Sequence, residues 1–154
     1  MKRLPYSAAA LALGGIILMG MGAYFVFVRP PLLPEDLRSM GTSLAAIQAA
    51  IPGLLVWLRR VFWVLGGYMF TTGLMTVYIA LTSFRARASG ATLVVAITGL
   101  TSIGWMVVVN FLLDSDFKWL LLAFSLPWFL AIALRWLKAE RPQPNDLVRG
   151  SGDV

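Results

Sequence analysis

Two carboxylates and a guanidinium group lie close together at Glu35, Asp36 and Arg38. Paired acids can bind a hard cation or exchange protons with a substrate, and arginine binds phosphate through two parallel hydrogen bonds. The stretch is therefore compatible with an enzyme that uses these three residues. A structural role competes with that interpretation, because Pro34 suits the first position of a helix and the helix dipole stabilises acids in a first turn.

A second pair of acids brackets a serine at Asp114-Ser115-Asp116, just before an apolar stretch. Such residues commonly cap a helix by accepting hydrogen bonds from its first N–H groups. Four cations are available as ion-pair partners: Arg38, Arg59, Arg60 and Lys118. Capping and ion pairing explain the acids better than catalysis does, and we predict neither a metal site nor a cofactor.

The composition of the chain is that of an integral membrane protein. Of its 154 residues, 59% are hydrophobic and 13% are charged, whereas soluble domains carry about 25% charged residues. The absence of cysteine and histidine excludes disulfides, thiolate nucleophiles, Cys/His metal sites and histidine-ligated haem within this chain. We interpret the net charge of +6 as charge that faces anionic lipid at the cytoplasmic membrane surface. No basic stripe lies on a soluble face, so we predict no nucleic-acid partner.

Four uncharged stretches are the candidates for helices that cross the roughly 30 Å of hydrocarbon in a bilayer. We predict an all-α, four-helix transmembrane bundle formed by residues 1–139, with spans near 7–28, 61–83, 91–113 and 117–137. The first run is longer than the apolar core of a signal peptide, so we expect it to be retained. Residues 140–154 are polar and contain proline, which predicts a flexible cytoplasmic tail.

The distribution of lysine and arginine predicts the orientation, because cytoplasmic segments carry an excess of both. Eight lie on one side of the predicted spans, namely Lys2, Arg3, Arg85, Arg87, Arg135, Lys138, Arg141 and Arg149. Five lie on the other side, namely Arg29, Arg38, Arg59, Arg60 and Lys118. Both termini are therefore predicted to be cytoplasmic, in a multi-pass protein of the bacterial inner membrane.

Between the first two spans, residues 34–51 predict an amphipathic helix of about four turns. Its apolar stripe consists of Leu33, Leu37, Met40, Leu44, Ile47 and Ile51. The segment is too short and too polar on one face to span, so we expect it to lie on the extracytoplasmic surface. It is either a connector that covers loop ends or a lid over a cavity, into which Gln48 would reach.

Asp, Glu, Lys and Arg are absent from the first three predicted spans and from the core of the fourth. Such residues mark proton relays and ion-coupled transporters, so their absence argues against a pump. Small residues recur four apart instead, in pairs that let helices approach closely: Ala10–Gly14, Gly67–Thr71, Thr72–Thr76 and Thr98–Ser102. In the fourth span Pro127 predicts a kink, and Trp128 either fills the bundle or lines a slot for a flat ligand.

Four side chains of the second and third spans are predicted to meet in the outward half of the bundle, namely Tyr68, Thr72, Trp105 and Asn110. They would form a pocket for a hydrophobic ligand under the 34–51 helix. That helix would supply four further residues to the site, namely Gln48, Glu35, Asp36 and Arg38. The competing interpretation is that these polar groups only join neighbouring helices through hydrogen bonds.

Residues 60–81, RRVFWVLGGYMFTTGLMTVYIA, carry a resemblance to a known group of proteins. An arginine leads into a Gly-Gly-aromatic sequence and a further glycine, namely Arg60, Gly66, Gly67, Tyr68 and Gly73. The stretch resembles the second span of small, DoxX-like four-helix bacterial membrane proteins of unknown function, although residues 29–60 form an insertion relative to that group. Because some DoxX-like proteins are linked to quinone-coupled redox complexes, the resemblance implies a subunit or quinone-proximal role.

Three functions remain open on these observations. The first is a small, non-enzymatic protein that binds membrane lipid or a hydrophobic molecule such as a quinone, or that serves as an accessory subunit of a membrane complex. The second is a channel or facilitator that is a homo-oligomer, with threonine and serine faces lining its path. The third is a membrane-surface enzyme that uses Glu35, Asp36 and Arg38.

Overall fold

The structure, a computed structural model, describes residues 4–139, with side chains through residue 137, and this part of the chain is helical without strands. Its α-helices are α1 (Tyr6–Phe27), α2 (Pro34–Met40), α3 (Leu44–Ala50), α4 (Leu54–Ile79), α5 (Ala91–Gly99), α6 (Trp105–Leu112) and α7 (Lys118–Ala139). A π-helical turn at Ala80–Phe84 continues α4, and another at Leu100–Gly104 joins α5 to α6. The predicted tail, 140–154, and the cations Lys2, Arg3, Arg141 and Arg149 lie outside the described residues.

Four helical segments are long and apolar enough to cross a membrane, namely Tyr6–Phe27, Leu54–Phe84, Ala91–Leu112 and Lys118–Leu137. This confirms the predicted all-α architecture with four long apolar helices. The first and third segments have 22 residues each, or about 33 Å of helix, close to the thickness of hydrocarbon. The second has 31 residues and measures about 46 Å, because α4 begins directly after Pro52-Gly53 and includes two turns before the predicted span.

Helices α1 and α4 approach until their backbones touch, through two pairs of opposed glycines. A Cβ atom added to Gly22 would lie 2.6 Å from the carbonyl oxygen of Gly66, and one added to Gly66 would lie 2.7 Å from that of Gly22. Gly15 and Gly73 oppose each other in the same way, at 2.8 and 2.5 Å. Only glycine leaves room for this approach, and α1 and α4 form the most extensively packed pair in the described chain.

Helix α7 also packs against α1 and in turn contacts α5 and α6, so the spans lie in the order second, first, fourth, third. Trp128 of α7 is 4% exposed, and its indole N–H donates to the Val95 carbonyl at 2.8 Å. A Cβ atom on Gly99 would overlap the indole ring, and one on Gly14 would lie 3.3 Å from it. Trp128 therefore fills the junction of the first, third and fourth spans.

The helix predicted over 34–51 is divided into α2 and α3. Gly41 adopts the left-handed conformation, with φ of 63°, and ends α2, while the Ser43 hydroxyl accepts a hydrogen bond from the Ala46 N–H at 3.2 Å. A left-handed glycine is a common helix terminator and serine is a strong N-cap, so residues 41–43 stop one helix and start another. Neither α2 nor α3 contains a buried residue, which leaves the segment on the surface of the described chain.

Candidate functional site

Glu35 joins α2 to the turn between the third and fourth spans. One carboxylate oxygen accepts a hydrogen bond from the Ser115 hydroxyl at 2.9 Å, and the other accepts one from the Asp116 backbone N–H at 2.9 Å. The Ser115 oxygen accepts a further bond from the Phe117 N–H at 3.1 Å, just before α7. Because Ser115 is 1% exposed, its bonds are shielded from water. Ser115 thus stabilises the turn that leads into α7, and Glu35 joins that turn from a distant part of the chain.

Asp36 closes the first turn of α2 and pairs with Arg29. Its Oδ2 atom accepts hydrogen bonds from the Leu33 N–H at 2.8 Å and from the Arg29 guanidinium at 3.3 Å. The same guanidinium lies 3.6 Å from the centre of the Phe62 ring on α4 and 5.3 Å from that of Phe25 on α1. Aromatic faces attract cations, so Arg29 fastens the start of α2 to the α1–α4 pair.

Two exposed ion pairs surround these bonds. Arg38 contacts Asp116 at 2.8 Å, and the hydrogen bond to Asp116 raises the pKa of Arg38 above its usual value. Lys118 donates to Asp114, and this hydrogen bond lowers the pKa of the Asp114 carboxyl. Asp114 therefore stays ionised to a lower pH than an isolated aspartate, and its pair is lost only as the pH falls through the lowered pKa. Exposed pairs of this kind stabilise a fold only slightly.

Together these side chains form what we call the α2 cluster: Arg29, Glu35, Asp36, Arg38, Ser115 and Asp116. Each of its carboxylates has a hydrogen-bond or ion-pair partner inside the protein. Within residues 4–139, no group of three acidic side chains is placed to hold a metal ion. The α2 cluster thus connects the segment before α3 both to α1–α4 and to the start of α7. The acids of the α2 cluster were predicted from the sequence, but Arg29 was not. Its position directly after the first span was the feature that could have indicated a partner for these acids.

Breaking the Glu35 contact should loosen this connection measurably. Glu35→Gln weakens two hydrogen bonds to a charged acceptor, each of the kind that contributes about 1.5–3 kcal/mol, so we expect the free energy of unfolding to fall by about 2 kcal/mol. Reversible SDS unfolding in mixed micelles, followed by tryptophan fluorescence, gives that value. Ser39→Ala on the exposed face of the same helix is the matched control. A double-mutant cycle with Ser115→Ala that showed no coupling would contradict the assignment.

The residues of the predicted pocket make their hydrogen bonds within their own helices. The Thr72 hydroxyl donates to the Tyr68 carbonyl at 2.8 Å, and the Asn110 amide donates to the Met106 carbonyl at 2.9 Å. Tyr68 is 71% exposed and Trp105 is 63% exposed. None of these bonds joins one span to another, so the predicted interhelical hydrogen bonding does not occur at Thr72 or Asn110.

The residues of the predicted pocket lie on helices that have different main packing partners. Tyr68 and Thr72 lie on α4, which packs mainly against α1, whereas Trp105 and Asn110 lie on α6, which packs against α7. The π-helical turn before α6 adds one residue to the helical path, and this rotates the following side chains by about 100° relative to a regular helix. Gln48 is exposed on α3. Ligand binding by this set of residues stays a prediction.

An open apolar groove lies instead between α1 and α7. It is lined by Ala10 and Leu13 of α1 and by Ala123, Leu126, Pro127, Phe129, Leu130 and Ala133 of α7, and it encloses about 530 Å³. This volume lies within the range of about 300–1,000 Å³ typical of ligand sites. The alanines leave the space, and Pro127 has no N–H to donate to the carbonyl of Ala123. The signal for this groove in the sequence is the set of small residues around a mid-helix proline.

No protein-family model matches the chain, and comparisons with curated proteins and with solved structures found no significant match. The resemblance of residues 60–81 to DoxX-like proteins therefore stays a prediction.

Proposed function

We propose that this protein crosses a bacterial inner membrane four times, with both termini in the cytoplasm, and binds the acyl chain of a membrane lipid in the groove between α1 and α7. It acts by binding and not by catalysis. Membrane insertion is supported by the apolar surface along the four long helices, where side chains such as Leu93, Leu100 and Leu112 are 64%, 68% and 81% exposed. Patches of this extent mark contact with lipid or with a partner.

The observation that carries the proposal is the lining of the groove. All eight lining residues are apolar, and they come from two helices that are each long enough to span. An acyl chain gains free energy from each methylene group that it buries against apolar surface. It needs no hydrogen-bond partner, and the lining side chains offer none. A quinone, as the flat alternative ligand, carries carbonyl oxygens that these side chains leave without a donor.

The polar groups of the spans support this function over conduction. Six hydroxyl groups donate to backbone carbonyls of their own helix segments, namely those of Thr72, Thr76, Thr82, Thr101, Ser102 and Ser125. A hydroxyl that has donated its proton presents only acceptor capacity to water or to an ion. The acids of the α2 cluster are likewise engaged in holding helices together, which favours binding over the channel and enzyme alternatives.

A second candidate function, as an accessory subunit or homo-oligomer, is favoured by one face of α4. A Cβ atom added to Gly67 would meet nothing within 4 Å, and its neighbours Tyr68 and Thr71 are exposed. Small residues on an exposed span face suit close packing with another transmembrane helix. Arg60, Gly67 and Tyr68 also carry the DoxX-like resemblance, and that resemblance implies a quinone-proximal subunit.

Filling the groove tests the lipid-binding proposal. Ala133→Phe places a ring in the groove, whereas Ala9→Phe adds the same ring at an exposed position outside it. Loss of contact with two methylene groups, at about 0.8 kcal/mol each, weakens binding by about tenfold. We therefore expect native mass spectrometry of gently purified protein to show about tenfold lower lipid affinity for Ala133→Phe and no change for Ala9→Phe.

Equal lipid affinity in the two variants would contradict the groove as the binding site. The same spectra report the other candidates directly. A retained quinone in place of phospholipid would overturn the choice of ligand, and a second protein chain bound without lipid would favour the accessory-subunit function.

A further inference from the structure

The end of the bundle opposite the α2 cluster is occupied by arginines. The π-helical turn Ala80–Phe84, the following turn with Arg85 and Arg87, and the last turns of α7 with Arg135 meet there. The four carboxylates within residues 4–139 are Glu35, Asp36, Asp114 and Asp116, and the bonds described above hold all of them at the other end. The described part of the chain therefore offers Arg87 and Arg135 no acidic partner.

Arg135 is held in a fixed position at this end. Its Nη1 atom donates to the Phe84 carbonyl at 2.5 Å, and its guanidinium carbon lies 4.4 Å from the centre of the Phe84 ring. That hydrogen bond uses one of the five N–H donors of a guanidinium group. The side chain is half-buried, so its charge is only partly solvated by water.

Arg87 places a second positive charge beside the first. The Arg87 backbone N–H donates at 3.2 Å to the same Phe84 carbonyl that accepts from Arg135, and the Arg87 side chain is exposed. Two neighbouring guanidinium groups near the end of apolar helices repel each other. An anion bound between them lowers the free energy, because each guanidinium group attracts it. Lipid phosphates lie at this depth when the four helices span a membrane, and basic pockets at the ends of transmembrane helices bind anionic lipid headgroups.

We propose that Arg87 and Arg135 form a binding site for the phosphodiester of an anionic phospholipid at the end of the second and fourth spans. The site rests on the proposed membrane insertion but not on the α1/α7 groove. The planar fork of Arg135 contacts the phosphate oxygens, and Phe84 holds that fork in place. Arg87 supplies the second charge from the turn after α4.

The backbone at Arg87 allows a substitution that removes the charge without straining the fold. Arg87 has a φ of 55°, in the left-handed region that asparagine tolerates better than most residues. Arg87→Asn therefore keeps the turn and removes one cation. Arg59→Gln, an exposed arginine near the start of α4, makes the same change of charge at the opposite end of the same helix.

The test titrates the delipidated full-length protein in detergent with phosphatidylglycerol or phosphatidylcholine of identical acyl chains, and reads bound lipid by native mass spectrometry. Each basic residue near a membrane surface contributes about 1 kcal/mol to anionic lipid binding, which is about fivefold in affinity. We expect Arg87→Asn to weaken phosphatidylglycerol binding about fivefold, with phosphatidylcholine binding unchanged. Arg135→Lys keeps the charge but loses the fork, and it should weaken phosphatidylglycerol binding while keeping a preference over phosphatidylcholine.

Three results would overturn this assignment. They are wild-type binding that does not distinguish the two lipids, an equal loss in Arg59→Gln and Arg87→Asn, and displacement of phosphatidylglycerol by millimolar inorganic phosphate. The last result would mean that the site takes a free anion. Ala133→Phe separates the two proposals, because it should lower the affinity for both lipids without changing their ratio.

Discussion

Gly22→Ala should lower the free energy of unfolding by at least about 2 kcal/mol, although alanine is the better helix former by about 1 kcal/mol. The added Cβ atom would lie 2.5 Å from the backbone nitrogen of Phe70 and 2.6 Å from the carbonyl oxygen of Gly66. Backbone atoms cannot move aside as a flexible side chain can, so the two helices must separate. Separation weakens the packing of α1 against α4 along its length, and Gly73→Ala should act in the same way from the opposite helix.

The matched controls lie on the same two helices. A Cβ atom added to Gly20 or Gly67 would meet nothing within 4 Å, so Gly20→Ala and Gly67→Ala should be neutral or stabilising by up to about 1 kcal/mol. SDS unfolding in mixed micelles measures all four variants. If the four alanine variants had the same stability, the close glycine contact between α1 and α4 would be refuted.

Gly99→Ala should have the larger effect, because its Cβ atom would overlap the buried indole of Trp128. The indole must leave its position between Gly14 and Gly99, and it loses the 2.8 Å hydrogen bond to the Val95 carbonyl. Removing a buried aromatic side chain costs about 3–5 kcal/mol, and we expect a loss of that size. The third span is then no longer held against α7.

Trp128→Phe separates the hydrogen bond from the packing. The smaller ring keeps part of the contact and removes the indole N–H, so a loss of about 1–3 kcal/mol is expected. Trp105→Phe is the control, because Trp105 is 63% exposed and should tolerate the same change. Equal stability of the two variants would mean that Trp128 is not the residue that joins the first, third and fourth spans.

The four long helices could be predicted because charge is nearly absent from them and lipid imposes a minimum length. The ends of the predicted spans 7–28 and 91–113 each lie within one residue of the ends of Tyr6–Phe27 and Ala91–Leu112. The sequence did not show which glycines meet. One of the predicted small-residue pairs, Gly67–Thr71, lies on the open face of α4, whereas Gly66 and Gly73 contact α1. That choice depends on how two helices are rotated about their axes, which spacing alone leaves undetermined.

The α2 cluster was predictable in kind but not in its partners. Acids at a helix start and around Ser115 indicated capping and ion pairing. Asp36 accepts a hydrogen bond from the Leu33 N–H at the start of α2, and Asp116 and Asp114 form ion pairs with Arg38 and Lys118. The contact between Glu35 and Ser115 joins residues 80 positions apart, and no local pattern predicts such a pair. The predicted pocket was placed by the depth of its residues along the spans, and depth alone does not determine which faces of α4 and α6 lie towards each other.

The membrane topology is tested most directly by cysteine labelling, since the chain contains no cysteine of its own. Single variants Ser39→Cys, Ala88→Cys and Leu113→Cys place one exposed thiol in each of the three segments between spans. With a membrane-impermeant maleimide on intact cells, Ser39→Cys and Leu113→Cys should be labelled, and Ala88→Cys only after the cells are opened. Labelling of Ala88→Cys in intact cells, or of Ser39→Cys and Leu113→Cys from opposite sides, would contradict four crossings with α2 on the outer face.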